Sequence, residues 1–152
     1  MSVLEIKKAG DEVLKKIAAP VEKVDGKIKK LLDDMAATMY AANGVGLAAP
    51  QVGASVRVIV VDIGEGLLEL INPKITQAEG CELEVEGCLS VPTMSGKVER
   101  YAKVVVEASD RRGQAVTVEG CGFLARALQH EIDHLDGILF IEKAKYLKII
   151  DG

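Results

Sequence analysis

No stretch of this sequence is apolar for long enough to cross a bilayer. The longest candidate, Val56 to Ile63, has the length of a strand and carries Arg57. The opening residues MSVLEIKKAGDEVLKK lack the apolar segment of a signal peptide, and they are not the Arg/Ser-rich, acid-poor start of a transit peptide. There is no basic stripe or tail. The net charge of −4 arises from both signs mixed along the chain, which gives nucleic-acid binding little support. Cysteines are few: Cys81, Cys88 and Cys121. An odd count at irregular spacing argues against a disulfide framework and fits a reducing cytoplasm. The plainest reading of each thiol is a small buried hydrophobe. Repeats, linkers and low-complexity segments are also missing. What remains, 152 residues with 49% hydrophobic, suits one domain around a single core.

The pattern along the chain predicts a small set of elements. Ile28, Leu31, Leu32, Met35 and Met39 recur at helical spacing within a helix over Asp25 to Asn43, and Asn43-Gly44 can stop it in the left-handed conformation. VRVIVVD (56–62) and LLELINP (67–73) read as strands joined by IGEG, with another strand near 81–86. KVVVEASD (103–110) and QAVTVEG (114–120) read as a hairpin turning at Arg111 to Gly113. Gly122 to Leu135 reads as a second helix, and ILF (138–140) as a short strand. Helices and strands do not alternate regularly, so the expected class is α+β rather than a doubly wound parallel sheet.

Histidine is scarce as well. His130 and His134 are the only two, and both stand in QHEIDHLDG, four residues apart. Residues i and i+4 share one helix face, so two imidazoles so placed can bind one metal ion. Glu131, rotated off that face, can reach a water at the ion without ligating. A catalytic metal usually takes three protein ligands. The stretch HEIDHLDG continues as a metzincin protease would, but Phe140 stands where the third histidine belongs. Downstream the chain has only 18 residues after His134, with Glu142 and Asp151 the only acids at a possible distance, so the third ligand is expected upstream. Asp133 and Asp136 are too close in sequence, and for Asp133 two readings stand open, orienting a ligand or facing solvent. Cys121 lies about two and a half turns from His130, and Cys81 reads as core in an alternating strand. Cys88 in EGCLSVP, with Gly87 before it and Pro92 expected to break the strand after it, reads alone as a structural thiol. Once the missing third ligand is counted, it becomes the candidate.

EGCLS at 86–90, HEIDH at 130–134 and GVGLAAPQ at 44–51 together resemble, in order and spacing, the three signature motifs of the peptide deformylases. FLARALQHEIDHLDGILF is especially similar to deformylases of the bacterial type. The resemblance spans nearly the whole chain. It implies an α+β fold with mixed or antiparallel sheets packed around a central helix carrying HExxH, in one catalytic domain. It implies a cytoplasmic, monomeric enzyme that removes the formyl group from N-terminal formyl-methionine of nascent peptides near the ribosome. By motif position Cys88, His130 and His134 would be the metal ligands and Glu131 the general base and acid. Gln51 and the backbone N–H of Leu89 would stabilise the oxyanion. The implied cofactor is one divalent ion, Fe(II) foremost, with zinc, nickel or cobalt as substitutes.

The residues add their own expectations. An oxyanion needs donors aimed at it, and an amide side chain and a free backbone N–H serve without adding charge. GVGLAA also matches a dinucleotide fingerprint, but it follows a helix and leads to a strand, the reverse of that motif's context. It is expected instead as an extended loop lining a cleft, with Val45 and Gly46 offering backbone hydrogen bonds. A methionine slot is expected from Val45, Leu89, Phe123, Ala127 and the His130 ring, with plain core packing as the alternative for Phe123 and Ala127. Glu86 is a candidate for the new amine or substrate backbone. Arg100, placed just before a strand, is a candidate for the peptide main chain, with a solvated arginine as the alternative. Arg126 is polar where some relatives carry an aliphatic residue, and the C-terminal EKAKYLKIIDG is short where a longer helix is common. Two other functions compete: a metallopeptidase sharing HEIDH, and a non-catalytic binding module whose metal would be closed by Cys81 or Cys121.

Overall fold

The computed structural model describes residues 2–150. Helix α1, Gly26–Ala41, starts where the Asp25 carboxylate accepts the Ile28 N–H at 3.1 Å. It ends at Asn43, whose φ of 57° supplies the left-handed stop. The strands are β1 (Gly46–Ala48), β2 (Val58–Val61), β3 (Leu68–Glu79), β4 (Glu82–Cys88), β5 (Val91–Arg100), β6 (Lys103–Ser109), β7 (Ala115–Cys121) and β8 (Tyr146–Ile149). Helix α2 spans Gly122–Leu135 and the single-turn α3 spans Phe140–Lys143. Two antiparallel sheets result, one of five strands in the order β1-β2-β3-β6-β7 and one of three in the order β4-β5-β8. Helices and antiparallel sheets together are the expected α+β class. No helix among the described residues is long and apolar enough to cross a membrane.

The five-stranded sheet is covered on both faces, which is why VIVV at 58–61 is apolar without interruption. Val58 and Val60 face Leu32, Met35 and Met39 of α1. Ile59 and Val61 face Leu128, Ile132 and Leu135 of α2. The alternation is the period-two geometry of a strand. The opposite side of α2, with both histidines, is left toward the three-stranded sheet. There Val91 and Val98 pack with Leu139 and Phe140 in a third cluster that Cys88 joins.

Several expectations are corrected. ILF is not a strand: Phe140 begins α3, and the Glu142 carboxylate accepts the Leu139 N–H at 2.6 Å, closing the first turn. Strand β3 continues six residues beyond Pro73, because the irregular pairing with β6 absorbs Asn72 at φ 53°. The Asn72 amide there exchanges two 2.8 Å hydrogen bonds with the Val21 backbone. Pro92 does not end the sheet, because the chain reverses at Leu89-Ser90 and β5 runs back with Pro92 as its second residue. Cys81 precedes β4, is exposed and donates to Glu99 at 2.6 Å, so it is not core. Cys121, the last residue of β7, is exposed too. GVGLAAPQ is not an extended loop: Gly46–Ala48 pairs with β2, and Ala49–Val52 forms a 3-10 turn.

Gly137 closes α2 with φ 75°, and a Cβ there would lie 2.5 Å from the Lys15 carbonyl oxygen. Gly137→Ala is therefore strained in backbone and in space. We expect a loss of about 1–3 kcal/mol in denaturant unfolding; a variant as stable as the parent would contradict this packing.

Candidate metal centre and cleft

The three expected ligands converge from two elements. His130 and His134 sit one turn apart on α2, with ring centroids 5.0 Å apart and planes at 73°. Cys88 ends β4, and its Sγ lies 3.4 Å from His134 Nε2. The ligating atoms of all three lie within 4.8 Å of one another. Metal bonds of about 2.3 Å to sulfur and about 2.0 Å to nitrogen separate tetrahedral ligands by roughly 3.5 Å, which the Cys88–His134 distance matches. One thiol and two imidazoles suit iron, zinc, nickel or cobalt. Glu142 is occupied in capping α3, and Asp151 lies outside the described residues.

Glu86 orients the cluster. Its Oε1 accepts from His130 Nδ1 at 2.8 Å and from Arg100 Nη2 at 2.9 Å. Its Oε2 accepts from Arg100 Nε at 2.9 Å and Arg126 Nη1 at 2.5 Å. Burial alone would raise this carboxyl, but hydrogen bonds from Arg100 and His130 hold it at about 2. An ionised carboxylate only accepts, so His130 Nδ1 carries the proton and Nε2 is left for a ligand. Phe140 stacks on the same imidazole, centroids 6.1 Å apart. The residue that breaks the metzincin pattern thus braces the first histidine.

Charges of both signs act at the site. Burial would lower the His130 pKa, yet Glu131, Cys88 and Glu86 raise it to about 10. His134 is driven well below its ordinary value by burial, then by the charges of His130 and Arg100. One imidazole therefore holds a proton strongly where a metal cation would replace it. Glu131 is buried and pushed up to about 7, by burial first and by Glu86 and Asp133 against the opposing pull of His130 and Arg100. Its Oε1 and His134 Nδ1 are buried without a partner in the protein. A Cβ at residue 46 would come within 2.5 Å of Glu131 Oε2, so only glycine leaves the carboxylate room against β1.

The cluster opens on a cleft of about 460 Å³, whose walls include Val45, Gly46, Gln51, Glu86, Leu89, Phe123, Ala127 and Arg126. Phe123 is 56% exposed at its rim and is not core. Ala127 lies between cleft and core. Gln51 is buried; its Oε1 accepts from Ala48 N at 3.0 Å, which turns Nε2 toward Ser90 Oγ at 3.1 Å and Cys88 Sγ at 3.6 Å. Two expectations fail here. Arg100 does not line the cleft and is not solvated: only 4% exposed at the end of β5, it commits its guanidinium to Glu86 and, through Nη1 at 2.5 Å, to Asp133. Glu86 lines the cleft but has four donors already on its two oxygens, so it is not free for a substrate amine. Asp133 takes the first of its two readings at two removes, holding Arg100, which holds Glu86 against His130. Sequence reasoning missed Ser90 and the tie of Arg126 to Glu86. The signals were there: Ser90 stands inside EGCLS, and Arg126 lies one helical turn before His130.

Comparison with known proteins agrees with this architecture. The family model described as polypeptide deformylase matches residues 3–149. A peptide deformylase of Acetivibrio thermocellus is 58% identical over 99% of this chain and 88% of its own length. One of Pelotomaculum thermopropionicum is 60% identical over 97% and 96%. The crystal structure of peptide deformylase from Thermotoga maritima superimposes with a TM-score of 0.93 at 43% identity, covering 95% of this chain and 99% of that one.

The Glu86 carboxyl is held at about 2 against an ordinary 4.5, so in the metal-free protein its stabilisation is present above pH 4.5 and lost as the pH falls toward 2. Glu86→Gln leaves Arg126 buried without its counter-charge and Arg100 with Asp133 as its only remaining one. It should cost about 3–5 kcal/mol at neutral pH and flatten the acid dependence of unfolding. Unchanged stability with an unchanged acid slope would remove Glu86 from its central place.

Proposed function

The chain belongs to the polypeptide deformylase family, and from that premise we propose that Cys88, His130 and His134 hold its metal and that Glu131, Gln51 and Leu89 act on the substrate. It is an enzyme of N-terminal deformylation, a hydrolase that removes formate from the formyl-methionine of newly made polypeptides. The observation that carries the site reading is the convergence of one thiol and two imidazoles within 4.8 Å, beside a buried carboxylate with an unpartnered oxygen.

When bound, the ion supplies Lewis-acid chemistry, acidifying water and polarising a carbonyl. Glu131 accepts the proton of the attacking water through its unpartnered oxygen and returns it to the departing amine. Gln51 Nε2, held toward the Cys88 side by the Ala48 N–H on its other atom, donates to the oxyanion. The N–H of Leu89, in the turn after Cys88, is the second donor. The substrate backbone lies between two sheet edges, β1, with Gly46 its first residue and Val45 just before it, and β4 with Cys88. The methionine side chain enters among Leu89, Phe123, Ala127 and the His130 ring. In this reading Fe(II) is the working ion, with zinc, nickel and cobalt as substitutes, and the chain acts as a cytoplasmic monomer on peptides leaving the ribosome. The closed binding module is disfavoured, because Cys81 and Cys121 are exposed and neither joins the metal cluster.

Formate release from a formyl-Met tripeptide, with protein loaded anaerobically with each metal in turn, tests the reading and ranks the ions. Glu131→Gln should retain metal and lose turnover; Cys88→Ala should lose both; Gln51→Ala should lower kcat by ~10²–10³. Wild-type turnover in Glu131→Gln would sink the mechanism.

The pH profile is a separate check. Glu131 must be ionised to take a proton; burial pushes it up to about 7, and a cation beside it draws it down. The kcat/KM of the loaded enzyme should therefore fall on the acid side, with a midpoint between the ordinary 4.5 and about 7. An acid limb absent from that window would count against Glu131 as the base.

A further inference from the structure

The N-terminal segment crosses helix α1 and then the two turns that carry Gln51 and Leu89, which the proposed reaction brings together. Ser2 N donates to Asp34 Oδ1 and Leu4 N to Thr38 Oγ1 on α1, each at 2.8 Å. Lys7 N then donates to the Gln51 carbonyl at 2.6 Å, and Ala9 N to the Ser90 carbonyl at 2.8 Å. Alternate N–H groups of an extended chain point the same way, roughly 7 Å apart. Two neighbouring donors of one strap thus set the separation of two carbonyls on different pieces of the protein. One belongs to the 3-10 turn beside the five-stranded sheet. The other belongs to the turn that carries Leu89 in the three-stranded sheet. Buried Ser90 makes the link a second time, its Oγ accepting from Gln51 Nε2 at 3.1 Å. Gln51, Ser90 and residues 7–9 therefore form a closed ring of contacts behind the cleft.

We infer that the strap Lys7–Ala9, with the Ser90 hydroxyl, is a positioning clamp that holds the Gln51 amide and the Leu89 turn at one fixed spacing for the oxyanion. The inference rests on the proposed role of Gln51. The clamp touches neither substrate nor metal ligand side chains, so its removal lowers kcat while KM and the metal remain.

The chain offers a clean perturbation. Asp11 N bonds to Lys8 O at 3.0 Å, and Gly10 has φ 106°, which is the pattern of a type II turn with Ala9 at its second position. Proline is favoured there. Ala9→Pro thus suits the turn and deletes only the N–H given to Ser90. One hydrogen bond of about 0.5–1.5 kcal/mol corresponds to roughly a 2- to 12-fold change in rate. The expected result is a kcat lowered by that factor, KM unchanged, and an unchanged thiolate-to-metal absorption in the cobalt-loaded enzyme. In a Gln51→Ala background, Ala9→Pro should lower kcat by less than in the parent, because only the Leu89 donor is left to misplace. An equal loss in both backgrounds would make the strap a general support and overturn the inference, and so would no loss in the parent. Gln51→Ala with parental kcat would instead overturn the reading of Gln51. If Ala9→Pro does not fold, Ser90→Ala, which leaves the backbone turn intact, carries the same cycle with the same deciding outcomes.

Discussion

One carboxylate organises this molecule. Glu86 reaches the interior from β4 and accepts from His130 on α2, twice from Arg100 on β5, and from Arg126 on α2. Three elements, β4, β5 and α2, are thereby locked at hydrogen-bond precision. Arg126 extends the lock with its bonds to the Val98 and Glu82 carbonyls, and Arg100 extends it to Asp133. A buried ion network costs desolvation, and an apolar core of the same volume is often as stable. Its use here is geometric: the charges fix one tautomer and one ring position of His130, which apolar packing does not do.

The same network explains why two neighbouring carboxylates on the site behave in opposite ways. Glu86 is flooded with donors and stays ionised to about pH 2. Glu131 is buried, has no donor on Oε1, and is pushed up to about 7. Environment alone divides two glutamates into a fixed anion and a carboxyl poised near neutrality, the separation on which the proposed role of Glu131 rests.

Elements with strong local patterns were legible in the sequence. Helix α2 was expected over the residues it occupies, and α1 nearly so, because core contacts recur every three to four residues and Asp25 and Asn43 mark the ends. HEIDH named its own geometry because a helix makes i and i+4 neighbours. The missed strands lack such patterns. β8 is exposed along its whole length, and β5 alternates only over Gly96–Arg100, where the buried residues are Gly96, Val98 and Arg100 and only Val98 carries an apolar side chain. Arg100 and Glu86 were misjudged for a related reason. A charged residue in a sequence reads as a surface or ligand-binding group, and only the fold shows that each is the other's partner. Ser90 stood in plain view within EGCLS, but its partner did not: Gln51 lies 39 residues away.

Helix geometry also separates the proposed metal ligands from the proposed base. His130 and His134 project from one side of α2 toward β4 and the three-stranded sheet. Glu131, rotated by about 100° along the helix, projects toward Gly46 on β1 of the other sheet. The proposed ligand His130 is thus oriented by the Glu86 network, whereas Glu131, the proposed base, rests against a glycine. Each half can be held rigid without constraining the other, provided the two sheets keep their spacing at the cleft. Contacts that cross between them at that point, the Gln51–Ser90 bond and the backbone bonds from Lys7 and Ala9, are few. Rigidity at that seam therefore decides whether two separately well-built halves meet in register around one substrate.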